Sequence, residues 1–400
     1  MDCQARPGFL KDAAEKLRLR LSMNQWTKFL RSLRWAPAYV WQRLTRHADQ
    51  IRRPHLIIGL ADHFEPAIMP GKGPERADRW EQERRLERWC REYPKLVNDW
   101  RDSDGRPFRH TYFYPAEQYD PGLIDRLAEH CHAGWGEVEI HLHHGQNGAD
   151  TSASTRRQIL EFRDALVSHG CLSRLNGNGA PRYAFVHGNF ALANSAHGRF
   201  CGVDDEMQIL ADTGCYADLT LPSAPNISQI GKINALYECA LPLRRRAPHR
   251  RGKDLRCGHA PSVFPLIIQG PLGLDFGRNG RWFPIIENAE IAAKHPPTIQ
   301  RLELWKQAAI TVRGRPDWLF IKLHGHGMDP RDESVMLGDA MRRFLREMAE
   351  GAEGGQTCRV HYVTAREMTN IILAACDGRS GNPNEYRDYR LTPIELPVKA

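Results

Sequence analysis

The stretch that decides the fold reads Glu137-Val-Glu-Ile-His-Leu-His-His-Gly145. Apolar and polar residues alternate through it, which predicts a β-strand with two different faces. Two glutamates and two histidines share one face, and burying four ionisable groups is costly unless they are paired or bind a metal. The strand stops at a glycine, so the last histidines lie where a strand becomes a loop. Imidazole groups at such a place indicate a metal site, with zinc as the default ion.

Composition places the chain among soluble enzymes. Its 400 residues suit a large α/β barrel with insertions, and 41% hydrophobic with 26% charged residues is typical of a globular protein. No stretch approaches the roughly 20 apolar residues that span a bilayer, and charges replace the apolar core of a signal peptide near the start. The ten cysteines show no CxxC spacing, which fits reduced thiols. We therefore expect a cytoplasmic protein.

Short apolar runs alternate with helix-like segments along most of the chain. This order predicts an α/β fold with a parallel sheet and helices outside it. Seven or eight strands in this length favour a distorted (β/α)7–8 TIM-like barrel over an open sheet. The predicted strands are 54–61, 109–114, 136–143, 182–187, 215–221, 263–269, 317–324 and 358–363, and the predicted helices are 75–102, 117–133, 153–169, 203–213, 298–313, 331–350 and 365–376.

The barrel domain is expected over residues 51–376, after a basic helical extension at 1–50. Within that extension, residues 16–46 fit either an amphipathic helix on an anionic membrane surface or a basic helix packed on the barrel. Residues 222–262, rich in Pro, Arg and Gly, indicate a long irregular insertion, and 377–400 an irregular tail. No basic cluster carries a nucleic-acid motif, so nucleic acid is not an expected partner, and the oligomeric state stays open.

Polar side chains cluster where the predicted strands end. Barrel active sites form at the rim that the carboxyl ends of the strands share, so these residues are the candidates for a site. They are Asp62, His63 and Glu65 after the first strand, His141, His143 and His144 at the third, His187 and Asn189 at the fourth, Asp218 in the fifth, and His324 and His326 near the last.

In their order along the chain, these positions resemble the motifs of the metal-dependent polysaccharide deacetylases, the NodB-type carbohydrate esterases of family 4. The resemblance covers roughly residues 54–330 and implies a distorted barrel that hydrolyses an acetyl amide with a divalent metal. The first motif of the family ends in two aspartates, a catalytic base and a metal ligand. Here Asp62 takes the base position and His63 the ligand position.

The second motif of the family is a strand followed by one histidine and a second histidine four residues on. His143 takes the first place, but the residue four positions later is Asn147. His144 is the replacement that the resemblance implies, because a turn at Gly145 could bring it inward. The predicted metal ligands are therefore His63, His143 and His144, with Asn147 or His141 as the alternatives for the third place.

The later motifs match less closely. The third normally supplies an arginine that polarises the acetyl group, and here His187 or Asn189 stands in for it. The fourth appears loosely, ending at Asp218. The fifth is a leucine–histidine pair that gives the catalytic acid, and it corresponds to Leu323 and His324.

The resemblance implies a division of labour among these groups. Zinc bound by the three histidines would lower the pKa of a water and polarise the acyl oxygen. Asp62 would take the proton of that water, and His324 would protonate the leaving amine. Supporting roles fall to the remaining polar residues at the barrel mouth, namely Glu65, His141, Asp218 and His326.

The expected activity is hydrolysis of a carbon–nitrogen amide bond in an N-acylated sugar or glycan precursor, with a carbohydrate as partner. A lipid-linked sugar at the inner face of the membrane would suit the basic extension. Two alternatives stay open. A glycoside hydrolase-type barrel could use paired carboxylates, such as Asp62 with Asp218 or Glu65. A catalytically inactive barrel could bind carbohydrate without turnover, since the second histidine and the arginine of the family motifs are missing.

Overall fold

The computed structural model describes most of the predicted barrel, the end of the basic extension and most of the tail. The greater part of the predicted extension 1–50 and the last residues of the tail lie outside this part of the chain. The described residues are Thr27, 30–46, 53–71, 75–277, 284–353 and 358–394.

All eight predicted strands are present among the described residues, with ends shifted by a few positions. The longer strands are those with the longest apolar runs in the sequence. The strands are β1 (His55–His63), β2 (His110–Pro115), β3 (Gly136–Leu142), β4 (Ser173–Leu175), β5 (Asn178–His187), β6 (Cys215–Asp218), β7 (Leu236–Cys239), β8 (Gly252–Asp254), β9 (Leu266–Ile268), β10 (Gly273–Asp275), β11 (Ile285–Glu287), β12 (Glu290–Ile291), β13 (Trp318–Gly325), β14 (Arg359–Tyr362) and β15 (Leu391–Pro393).

Ten of these strands form one curled sheet in the order β12-β13-β1-β2-β3-β5-β6-β9-β7-β8. Neighbours from β12 to β9 run parallel, and β7 and β8 are antiparallel at the edge. Residues 55–58 of β1 pair with β14, whereas residues 60–63 pair with β2. Among the described residues the edge strands β8 and β12 do not pair with each other, so the sheet is a half-barrel. The α/β class is confirmed, and closure into a complete barrel stays a prediction.

The convex face of the sheet is covered by helices. The helices of the described residues are α1 (Ala36–Thr45), α2 (Arg79–Val97), α3 (Pro121–His130), α4 (Ser152–Ser168), α5 (Glu206–Thr213), α6 (Ile299–Gln307), α7 (Glu333–Met336), α8 (Asp339–Glu353) and α9 (Ala365–Cys376). Leu56, Ile58 and Leu60 of β1 share one core cluster with Trp89 of α2 and Phe344 of α8. Alternate residues of a strand face opposite sides, so this side of β1 looks toward the helices.

The concave face is filled by helix α9. All of its residues are buried, and Ile371 and Ile372 share a second core cluster with Ile57 and Ala61 of β1. Thr364 caps its amino end and exchanges hydrogen bonds with Glu367 in a capping box. Helix α9 therefore occupies the space that side chains fill inside a closed barrel.

Buried ion pairs fix the amino end of α9 near the amino ends of β2 and β3. Glu367 pairs with Arg109 and, at 3.2 Å, with Arg387. Arg366 lies 2.7 Å from Glu137 at the start of β3. Removing one member of a buried pair leaves an uncompensated charge and costs about 3–5 kcal/mol. These contacts set the position of α9 against the sheet.

Helix α1 packs against the region that was predicted to be an irregular insertion. Trp35 is 1% exposed and shares a small core with Ala224 and Ile233. Arg34 donates a hydrogen bond of 2.8 Å to the carbonyl of Ile227. The described end of the basic extension thus lies on the body of the protein. No helix among the described residues is long and apolar enough to cross a membrane.

The region 222–262 is more regular than predicted. It supplies β7 and β8, which extend the sheet beyond β9. These strands span only three or four residues each, so their sequences show no alternation long enough to indicate a strand. Their position depends on pairing with β9, which residues 266–268 provide.

Acid should destabilise the fold through His130, which is 5% exposed and lies 3.0 Å from the hydroxyl of Tyr112. Burial, with smaller contributions from His110 and Arg126, lowers the pKa of His130 to about 4. The unfolded chain takes up this proton below about pH 6.5, so the stability tied to neutral His130 is present above that pH and is lost as the pH falls toward 4. We expect His130→Gln to reduce the acid-induced loss of unfolding free energy by about 2–3 kcal/mol.

Urea unfolding at pH 7 and pH 4.5 measures the effect. The exposed His259→Gln is the matched control and should keep the wild-type dependence on pH. Equal losses in wild type and His130→Gln would show that His130 does not contribute.

Candidate metal centre

Three strand ends bring histidines to one edge of the sheet. His63 ends β1, His141 is near the end of β3, and His324 is near the end of β13. In the parallel register of β1 and β13, Ala61 lies opposite His324. The loops that follow these strands carry Glu65, His143 and His326, so the predicted clustering at the carboxyl edge is what the structure shows.

The imidazole rings of this edge are in contact. The ring centre of His63 lies 4.8 Å from that of His141, 4.9 Å from that of His326 and 6.5 Å from that of His324. The ring centres of His141 and His143 are 4.5 Å apart. Five histidines therefore form one group, which we call the imidazole cluster: His63, His141, His143, His324 and His326.

Glu65 is the carboxylate at the middle of the imidazole cluster. Its Oε1 atom is 3.5 Å from Nε2 of His141 and 3.8 Å from Nε2 of His143. Ligand atoms of Glu65, His63 and His326 lie within 4.8 Å of one another, and so do those of Glu65, His141 and His143. Both groups of three contain Glu65, so nitrogen and oxygen donors suited to a divalent ion converge on it.

Oxygen atoms outside the cluster hold two of these rings. Nδ1 of His141 donates to the carbonyl of Val186 at 2.7 Å, and Nδ1 of His143 donates to Oε1 of Glu117 at 2.7 Å. In these tautomers both Nε2 atoms are unprotonated and directed at Glu65, which is the arrangement that metal-binding histidines adopt. Nε2 of His141 is buried without a hydrogen-bond partner, as expected of an atom that awaits a ligand.

A glycine makes room for the ring of His143. A Cβ atom on Gly188 would lie 2.3 Å from Cδ2 of His143. The same loop carries Phe190, whose ring centre is 5.8 Å from that of His63. The backbone of Gly188 therefore restricts the ring of His143, and the ring of Phe190 lies near that of His63. Both contacts limit the movement of the imidazole cluster.

The electrostatics differ from ring to ring. Burial alone would lower the pKa of His143, but Glu117 and Glu65 outweigh it and raise that pKa. At His141, by contrast, burial lowers the pKa. Burial alone would raise the pKa of Glu65, but the adjacent imidazoles of His141 and His143 outweigh it and bring the pKa to about 2. Burial, reinforced by the neighbouring imidazoles, holds the pKa of His63 well below its usual value. Neutral imidazole and ionised carboxylate are the forms that coordinate metal.

Asp62 lies on the other face of β1. It accepts hydrogen bonds from Nδ1 of His110 at 3.0 Å and from the backbone N–H of Gly327 at 2.6 Å. His110 packs against Trp89, so Asp62 faces the helices, and the predicted position beside the metal is not what the structure shows. The physical reason is the alternation of strand residues, which turns neighbours to opposite sides. What Asp62 does contact is the backbone next to His326.

His144 also departs from the predicted ligand set. The structure groups it with His187, Cys201 and Glu206, and not with His63 and His143. Its Nε2 atom is 3.0 Å from Nε2 of His187. His143 and His144, although consecutive, therefore belong to two different groups of side chains. His187 belongs to the group of His144 and not to the imidazole cluster, where the acyl group was predicted to bind.

The remaining predicted residues are Asn189 and Asp218. Asn189 is partly exposed in the loop after β5, next to Phe190. Asp218 is buried and accepts a hydrogen bond of 2.7 Å from the hydroxyl of Thr220. Burial, against the opposing bonds from Thr220, raises the pKa of Asp218 to about 7, and burial lowers the pKa of Lys322 to about 7.

Sequence reasoning missed Glu117, which stands two residues beyond β2 and orients His143. Glu117 could have been identified as a carboxylate that closely follows the end of a predicted strand. Sequence reasoning also missed Cys201 and Glu206, which lie far from any strand end in the sequence, so only the folded chain brings them to His144.

No model of a known protein family matches the chain, and a search of curated proteins finds no match either. The likeness to the polysaccharide deacetylases therefore depends on the strand-end residues alone. The geometry of the cluster is independent of that likeness, because it follows from distances within this chain.

The bond from Glu117 to His143 should tune metal affinity. We expect Glu117→Gln to weaken binding at the imidazole cluster by about 10- to 100-fold, because the amide holds the ring less firmly and makes it less basic. Competition with a chromophoric zinc chelator measures the affinity. Glu129→Gln, in the exposed part of α3, is the control, and equal affinities for the two variants would refute the role of Glu117.

Proposed function

We propose that the chain is a metal-dependent hydrolase that removes an acyl group from an N-acylated sugar, at the imidazole cluster. The observation that carries the proposal is the convergence of Nε2 atoms on Glu65 while Nδ1 atoms are held by Val186 and Glu117. Histidine and carboxylate ligands in a buried site are typical of a catalytic zinc. The strand-end resemblance to the deacetylases supplies the substrate class.

The residues that would hold the ion come from two groups of three that share Glu65, one with His63 and His326 and the other with His141 and His143. Zinc bound there would polarise an acyl oxygen and lower the pKa of a water molecule. The ligand set differs from the one that the sequence predicts, because His144 is replaced by residues that face Glu65.

The proton work falls to His324 in this proposal. Its Nδ1 atom is buried without a partner, and its ring centre is 6.5 Å from that of His63. It takes a proton from the attacking water and delivers it to the leaving amine, which extends the acid role predicted from the sequence. Asp62 is a positioning residue, since its bond to the Gly327 N–H holds the loop that bears His326.

Substrate contacts are assigned to the loop after β5. Asn189 is partly exposed and precedes Phe190, which covers His63. An amide side chain at this place can donate to an acyl oxygen or a sugar hydroxyl. The glycoside hydrolase alternative is less well supported, because Asp62 faces the helices and Asp218 is bonded to Thr220.

Acetate release from a panel of N-acetylated mono- and oligosaccharides tests the proposal with zinc-loaded protein. We expect His141→Ala to abolish activity with its metal, and His324→Gln to lower kcat by about 10²- to 10⁴-fold while metal content stays unchanged. The exposed His259→Ala is the control.

Bound zinc without acetate release across the panel would favour a carbohydrate-binding barrel. Glycosidic cleavage that is indifferent to a chelator would favour the glycoside hydrolase. Either result would overturn the proposed reaction.

We further propose that α1 brings the enzyme to an anionic membrane surface, where a lipid-linked sugar would be the substrate. One side of α1 is fixed to the body by Trp35, and the other side exposes Val40, Trp41 and Leu44, which are 54%, 68% and 69% exposed. Arg43 is exposed among them. Apolar side chains with basic neighbours are the features of helices that lie in a membrane interface.

Co-sedimentation with vesicles tests this contact. Wild-type protein should bind vesicles that contain phosphatidylserine more than vesicles of phosphatidylcholine alone, because the basic side chains are attracted to anionic lipid. Trp41→Asp with Leu44→Asp should reduce binding to the anionic vesicles. Trp80→Asp, at an exposed tryptophan of α2, should not, and equal binding by both variants would contradict the assignment.

A further inference from the structure

We propose that the chain binds a second metal ion, at a closed structural site formed by His144, His187, Cys201 and Glu206. All four side chains are buried, and one ligand atom from each lies within 4.8 Å of the others. The site is separate from the imidazole cluster and does not depend on the proposed hydrolysis.

The spacing of the donor atoms fits a small tetrahedral ion. Nε2 of His144 lies 3.0 Å from Nε2 of His187 and 2.9 Å from Oε1 of Glu206. Nε2 of His187 is 3.6 Å from the same oxygen. Nitrogen and oxygen ligands of tetrahedral zinc are about 3.3 Å apart, so these three donors already lie within a few tenths of an ångström of the spacing that zinc requires.

The outer nitrogen atoms of both rings are already occupied. Nδ1 of His144 lies 3.0 Å from Oδ2 of Asp150 and 3.1 Å from the hydroxyl of Thr155. Nδ1 of His187 contacts the carbonyl of Gly188. With a proton on each Nδ1, two Nε2 lone pairs face each other beside a carboxylate, and a cation between them would remove that repulsion.

Cys201 provides the fourth donor. Its Sγ atom is 3.6 Å from Oε2 of Glu206, whose Oε1 faces the histidines. Two imidazoles, one thiolate and one carboxylate leave no place for substrate, which is the mark of a structural zinc site. Borderline nitrogen donors with a sulfur favour zinc over magnesium or calcium.

A metal ion at this second site would fix the backbone segments that lie next to the imidazole cluster. Its ligands join the end of β3, the end of β5, the loop before α5 and the first residue of α5. Six backbone positions between β5 and α5 have positive φ without being glycine: Asn189, Phe190, Ala193, Asn194, His197 and Phe200. Such conformations persist where surrounding contacts enforce them, and a bound ion would be one such contact.

Cobalt substitution of the full-length protein tests the second site directly. Thiolate bound to Co²⁺ gives a charge-transfer band in the near ultraviolet, and the imidazole cluster contains no cysteine. We expect two metal equivalents per chain in wild type, together with this band. In Cys201→Ser the band should disappear and one equivalent should be lost or weakened, whereas Cys171→Ser, at another buried cysteine, should retain both.

The wild-type spectrum does not require any variant to fold. Absence of the thiolate band from cobalt-loaded wild type would overturn the proposal and leave a hydrogen-bonded His–Glu network in its place. Retention of both equivalents and of the band in Cys201→Ser would also overturn it. Loss of one equivalent in His141→Ala, with the band unchanged, would separate the two sites and support the assignment.

Discussion

Helix α9 fills the concave side of the curled sheet. That helix is buried along its whole length, so its amino end needs partners for its backbone N–H groups, and the Thr364–Glu367 capping box satisfies two of them. Arg109 and Arg387 then balance the charge of Glu367. Because these groups are out of water, each is stable only while its partner stays in place. The amino edge of the sheet is thus stabilised by buried ion pairs, whereas the carboxyl edge carries the imidazole cluster.

In α/β barrels, the amino ends of the strands contribute to stability and the carboxyl ends carry the site. This sheet shows the same separation, with the buried ion pairs at one edge and the imidazole cluster at the other. The parallel arrangement of the strands places the imidazole cluster at the carboxyl edge. Since β13, β1 and β3 run the same way, their carboxyl ends lie at one edge of the sheet, where each delivers a histidine. The loops that follow then need only one or two residues to bring Glu65, His143 and His326 into contact.

Much of the fold was readable from the sequence. Strands with long apolar runs, such as β1 and β13, and helices with clear caps, such as α9, lie where periodicity predicts them. The short strands β7 and β8 were not predictable, because they exist only through pairing with a neighbour distant in sequence. At the site, sequence order placed the histidines at one edge correctly. Strand alternation requires Asp62 and His63 to face opposite sides, but the sequence could not show which of them faces the cluster. Nor could it show that the turn at Gly145 leaves His144 in a different group from His143.

That turn has a further consequence. A Cβ on Gly145 would lie 2.3 Å from the carbonyl oxygen of Cys201, so the backbone there is pressed against the segment that carries the thiol. His143 and His144 share one peptide unit, and each faces a different set of donors. Anything that fixes His144 also fixes the backbone from which His143 projects. Binding at the two proposed sites would therefore be thermodynamically linked, and by reciprocity the coupling free energy would be the same whichever is filled first.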